Sequence, residues 1–94
     1  MNTNQERMRL FEADLKNTFN ITDLKIEDES HLHAGHVGAA SGGGHFKVTI
    51  VSPQFQGQNS VARHRAVYAA LQRHIPGEIH ALIIKASTPE EASS

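Results

Sequence analysis

The segment Phe46-Lys47-Val48-Thr49-Ile50 alternates apolar and polar side chains, and Ile79-His80-Ala81-Leu82-Ile83-Ile84-Lys85-Ala86 forms a second, more continuously apolar run. A period of two is the signature of a strand with one buried face. The second run is apolar on both faces through most of its length, which predicts a central or well-covered strand. Between the two runs lies a helix. Asn59 or Ser60 supplies its cap, Val61, His64, Tyr68, Leu71 and Ile75 recur at steps of 3, 4, 3 and 4 as its inner face, and Pro76-Gly77 stops it. Strand, helix and strand in this order form a crossover whose second strand returns parallel to the first.

Working outward, Leu24 and Ile26 alternate with Lys25 and Glu27 and predict a half-buried strand to about Ser30. It pairs with the strand at residues 46–50 as an antiparallel hairpin with an oversized connection. Upstream, Thr3 and Glu6 form a capping box, and Met8, Phe11, Leu15 and Phe19 line one face of a helix that Asn20 can end. Residues 54–58 are a connector around Phe55 and Gly57. Thr88-Pro89-Glu90-Glu91 starts a short helical turn with proline at its first position. The order α-β-β-α-β is an α+β fold: one small domain, a three-stranded mixed sheet and helices packed on it.

The chain has 94 residues and suits a single domain over 1–94, with residues 1–2 and about 90–94 as frayed tails. Nine Lys and Arg against ten Asp and Glu give a net charge of −1, which disfavours a polyanion binder acting by bulk attraction. No cysteine is present, so disulfides, thiolate zinc sites and a self-contained cysteine-ligated cluster are excluded. No signal-like apolar run opens the chain, and its longest apolar stretch is too short to span a bilayer. The expected setting is the cytoplasm, with no membrane partner.

Against that composition, seven histidines stand out. His31, His33 and His36 lie in a segment, 31–44, that also holds Gly35, Gly38, Gly42, Gly43 and Gly44. The crossover brings this loop, the end of the second helix with His74, and the start of the last strand with His80 to one end of the sheet; His45 enters nearby. Imidazole binds Zn, Cu, Fe and Ni, and a set of two or three without thiolate or carboxylate leaves coordination positions open. The alternative is a solvated glycine-rich loop. His64, within the apolar stripe, reads as a buried structural histidine; His74 reads as a charge favouring the helix dipole; His45 fits either a structural place or the site.

Arg63, His64, Arg65 and Arg73 give the second helix some basic character, but Val61 and Tyr68 occupy its packing face, so few of these charges can meet a phosphate together. Gly35-His36-Val37-Gly38 has the glycine spacing of a backbone-clamping GXXG loop, without flanking Lys or Arg. No nucleophile elbow, P-loop or dinucleotide fingerprint is present, and no spacing ties Ser, His and Asp together. An independent enzyme is the least supported class.

Several of these segments together resemble the BolA family. They are Asp28-Glu29-Ser30, His33, His45-Phe46-Lys47-Val48, Val51-Ser52-Pro53-Gln54-Phe55-Gln56-Gly57, Arg63-His64-Arg65-Ala66-Val67-Tyr68, Leu71, Ile79-His80-Ala81-Leu82 and Thr88-Pro89. The resemblance runs from about Leu24 to Pro89. It implies a class II KH-like αββαβ fold and a non-enzymatic partner of monothiol glutaredoxins that shares a [2Fe–2S] cluster with them. Glutaredoxin and glutathione supply thiolates in such a pair, and the isolated BolA-like chain holds no cluster tightly by itself. The family's C-terminal histidine falls on His80, and its variable loop ligand falls on His33, with His36 as the competing position. Imidazole in place of thiolate raises a cluster's potential and makes the ligation pH-sensitive. Some members are described as DNA-binding regulators, which would place Arg63, His64 and Arg65 at a nucleic-acid surface. The free protein is expected as a monomer or weak homodimer.

Overall fold

A computed structural model describes residues 4–29, 44–75 and 77–93. Helix α1 (Asn4–Thr18) leads into strand β1 (Asp23–Asp28), followed by β2 (Gly44–Val51), α2 (Ser60–Ala70), β3 (Ile79–Ser87) and the short helix α3 (Pro89–Ala92). Single 3₁₀ turns at Pro53–Phe55 and Gln72–His74 flank α2. The mixed α+β architecture is the one the sequence predicts. Thr3, the expected first cap, lies outside the described residues, whereas Asn59 caps α2 by accepting from the Ala62 amide.

The sheet order is β1-β2-β3. β1 pairs antiparallel with β2, Ile26 opposite Val48, and β2 pairs parallel with β3, Val48 opposite Ile84. β2 is therefore the central strand and β3 an edge, contrary to the expectation for β3. Its apolar run looked double-sided because Ile83 is apolar yet faces outward, 53% exposed, while Leu82, Ile84 and Ala86 pack against the core.

The core lies on the helical side of the sheet. Phe11 and Leu15 of α1, Phe46, Val48 and Ile50 of β2, Phe55, Val67, Leu71 and Ile79 are all essentially inaccessible. Phe11 meets Phe46 edge-on, centroids 5.1 Å apart, an arrangement that suits the ring quadrupoles.

Of the expected inner face of α2, Leu71 is buried and Ile75 packs against the core, whereas Val61, His64 and Tyr68 lie outside it. Val67 and Leu71 point inward with Ala70 beside them, whereas Val61 and Tyr68 are 57% and 42% exposed and His64 is exposed with its ring stacked on Tyr68. The reason is the Arg63 side chain. Its guanidinium donates to the Gln58 and Ala86 carbonyls and clasps both oxygens of Glu91, at 2.6 and 3.1 Å, leaving the side chain 13% exposed. That clasp, with Val67 and Leu71 at i+4 and i+8, turns α2 so that the Val61-His64-Tyr68 stripe faces out. The α-helix also stops at Ala70, short of Ile75, and tightens into the 3₁₀ turn.

The C-terminal segment from Glu90, expected to fray, continues the helical turn of α3. Thr88 and Glu91 form a reciprocal capping box, and Glu91 holds Arg63 in the same geometry. Residues 1–2 lie outside the described residues.

Candidate functional site

The parallel pairing of β2 and β3 is regular except at its start. Gly44 lies opposite Ile79, but His45 lies opposite Ala81, so one step along β2 matches two along β3. The extra residue is His80. A bulge of this kind re-aims side chains, and bulges are frequent beside functional sites. Here it lets Ile79 and Leu82, three residues apart, both serve the core, and it sets His80 outside the ladder as an exposed side chain. The His80 ring lies 5.4 Å from that of His45, tilted by 54°. His45 itself is buried, 8% exposed, and its carbonyl accepts from the Glu29 amide at 2.8 Å, which ties the end of β1 to the same corner.

Of the histidines expected at this end of the sheet, the structure brings His45 and His80 together. His33, His36 and His31 lie outside the described residues. His74 does not join the site, and a role for it at the helix dipole is replaced by something stronger. It is 4% exposed; its Nε2 lies 2.7 Å from an Asp14 carboxylate oxygen and its Nδ1 2.6 Å from one of Glu78. Its ring also packs edge-on against Phe11, centroids 4.8 Å apart. Arg73 completes the group with a bidentate pair to Asp14 at 2.8 and 2.9 Å. The Arg73 guanidinium, assisted by His74, holds the Asp14 carboxyl below the usual carboxylate range against an opposing burial effect. His74 thus links α1, the end of α2 and the approach to β3. The signal for it in the sequence was faint: a histidine four residues before Glu78, with Asp14 sixty positions away.

Of the nucleic-acid candidates, Arg63 is held by Glu91 and two carbonyls, while His64 and Arg65 are exposed on the outward face of α2. Among the described residues no group of three or more His, Asp or Glu is arranged to hold a metal ion.

A sequence model described as BolA-like protein matches residues 15–91, a span from the last turn of α1 to α3 that contains the bulged strand. The chain belongs to the BolA family. It is 40% identical over 89 residues to SufE-like protein 1, chloroplastic/mitochondrial, of Arabidopsis thaliana, covering 89% of this chain and 24% of that protein. It is 39% identical over 83 residues to the DNA-binding transcriptional regulator BolA of Haemophilus influenzae, covering 88% and 78%. The BolA domain of SufE1 from Arabidopsis thaliana superposes with a TM-score of 0.79 at 40% identity, over 90% of this chain and 94% of that one. This BolA-family chain therefore spans about a quarter of the length of SufE-like protein 1. Among its described residues no helix is long and apolar enough to cross a membrane.

Proposed function

We propose that this BolA-family chain is a cytoplasmic, non-enzymatic adaptor that pairs with a monothiol glutaredoxin and contributes imidazole ligation to a bridging [2Fe–2S] cluster. The observation that carries the reading is His80: an exposed histidine on a bulge at the edge of the sheet, beside a second imidazole. The chain has no cysteine. It can offer nitrogen ligands, and every thiolate would come from the partner and glutathione. The donor set therefore fits half of a shared site. His80 would be one ligand, with His33 or His36 as the loop ligand.

When bound, such a cluster supplies one-electron and iron–sulfur transfer chemistry, at a potential raised by nitrogen ligation. The protein's own part is mechanical and electrostatic. The bulge frees His80 from the ladder, and β2 holds the neighbouring His45 in the buried floor. The His74-Asp14-Glu78 group braces the turn from which β3 departs.

The test is anaerobic reconstitution of the chain with a monothiol glutaredoxin, ferrous iron, sulfide and glutathione. The expected result is a heterodimer whose visible absorption and circular dichroism change on His80→Ala, and on one of His33→Ala or His36→Ala. Spectra unaffected by His80→Ala would overturn the ligand assignment.

A second reading, DNA binding, is favoured by one observation: Arg65 and His64 share an outward helix face with Tyr68, and a Haemophilus relative is named as a DNA-binding regulator. It predicts an affinity for duplex DNA that survives physiological salt and falls on Arg65→Glu.

A further inference from the structure

His45 has no part in the ligand set just described, yet it is the imidazole nearest to His80 among the described residues. With metal–nitrogen bonds of about 2.0–2.1 Å and a ring centre ~1.1 Å behind each ligating nitrogen, two imidazoles on one tetrahedral ion hold their centroids roughly 5 Å apart. The observed separation is 5.4 Å with the planes inclined at 54°. We propose that His45 and His80 form a two-imidazole site for a divalent transition-metal ion.

Three features support it. The pair spans two strands, so its spacing is set by the β2–β3 register and the bulge rather than by loop flexibility. One imidazole is buried and the other exposed, which gives a fixed inner ligand and an outer one open to incoming ions. Each ring carries two nitrogens, so one could ligate while the other takes a hydrogen bond, the usual arrangement at histidine metal sites. Imidazole suits Zn²⁺, Cu²⁺ and Ni²⁺ in particular. Two protein ligands leave at least two coordination positions for water or for donors from another molecule, so the site is open in the manner of a catalytic or shared metal rather than a closed structural one. The site uses the same bulged strand as the cluster reading but does not rest on it: zinc binding by the isolated chain and cluster assembly with glutaredoxin succeed or fail separately.

The test is titration of the isolated, cysteine-free chain with Zn²⁺, followed by calorimetry and by long-range ¹H–¹⁵N spectra of the histidine rings. The ring nitrogens of His45 and His80 should shift together and saturate at one equivalent. His45→Gln and His80→Gln should each weaken binding by at least about tenfold, a loss that removal of even a supporting neighbour can produce. The double variant should lose little more than either single one. Because His45 is buried, its variant needs a native far-ultraviolet spectrum; the ring shifts of the wild-type protein stand regardless. Zn²⁺ shifts at His80 together with His33 or His36 but not at His45 would overturn the proposal. So would binding that persists at full strength in His45→Gln.

Discussion

Replacing His74 with phenylalanine tests whether the buried imidazole stabilises the fold through its nitrogens or merely through its shape. The phenyl ring fills a similar volume and keeps the edge-on contact with Phe11, so His74→Phe removes the two ring-nitrogen contacts to carboxylates and little else. Hydrogen bonds to charged groups contribute about 1.5–3 kcal/mol each. Both acceptors have some recourse: Asp14 keeps its bidentate arginine, and the Glu78 side chain is 31% exposed, which favours the lower end, or ~3 kcal/mol for the two. Added apolar burial offsets less than about 1 kcal/mol. The net loss is then ~2 kcal/mol, which for a domain of this size lowers the melting temperature by roughly 8–16 °C. Circular dichroism melts and urea titrations at neutral pH measure it, and a cycle with Asp14→Asn isolates the pairwise coupling. A variant as stable as the parent, or a coupling below about 0.5 kcal/mol, would refute the reasoning. That outcome has a physical route, because well-packed apolar groups can replace buried charged sets without loss.

The Arg63 clasp lowers the Glu91 carboxyl from its ordinary 4.5 to about 2. A carboxyl depressed on folding adds stability that is complete above the unfolded value and fades as pH falls, so urea midpoints should decline between pH 4.5 and about 2, and less so in Glu91→Gln. Arg63→Glu should destabilise the fold markedly while Arg65→Glu leaves the melting temperature unchanged; equal effects in thermal melts would contradict the division of roles between the two arginines. Gly57 has φ +80° and open space around its α-carbon, so Gly57→Ala should cost about 1–2 kcal/mol through backbone strain alone, readable as a shifted urea midpoint with an unchanged slope. Phe46→Ala removes a ring at the centre of the buried cluster and should cost about 3–5 kcal/mol; a cooperative melt near that of the parent would mean the cluster is looser than its burial implies.

Much of the architecture could be read from local patterns, because period-two alternation in β2 and the crossover rule depend on nearest neighbours and handedness. The Met8-Phe11-Leu15-Phe19 stripe was legible for the same reason: no polar side chain competes for that face of α1. The rotation of α2 was hidden because it is decided by Glu91, twenty-eight residues beyond Arg63; an arginine that is clasped from a distance looks, in sequence, like a free surface charge. The edge position of β3 was hidden likewise, since apolar content does not distinguish a covered strand from one that leaves Ile83 in water. As for the site, His80 was evident from its position at a strand start. That His45 enters nearby followed from the crossover, but the contact between the two rings depends on a one-residue slip in register, which no pattern of hydropathy announces.

The edge position of β3 also bears on how the molecule behaves in crowded solution. Its outer side presents peptide groups with no strand beside them among the described residues, and edges of that kind template pairing with a second chain. One carbonyl, that of Ala86, is already occupied by Arg63, and Lys85 is exposed on the same strand. Between Ala81 and Lys85 no other charged side chain stands guard, and Ile83 adds an apolar handle. On this stretch of the edge, Lys85 is the charge that discourages sheet-to-sheet association, and neutralising it by acetylation would remove that guard.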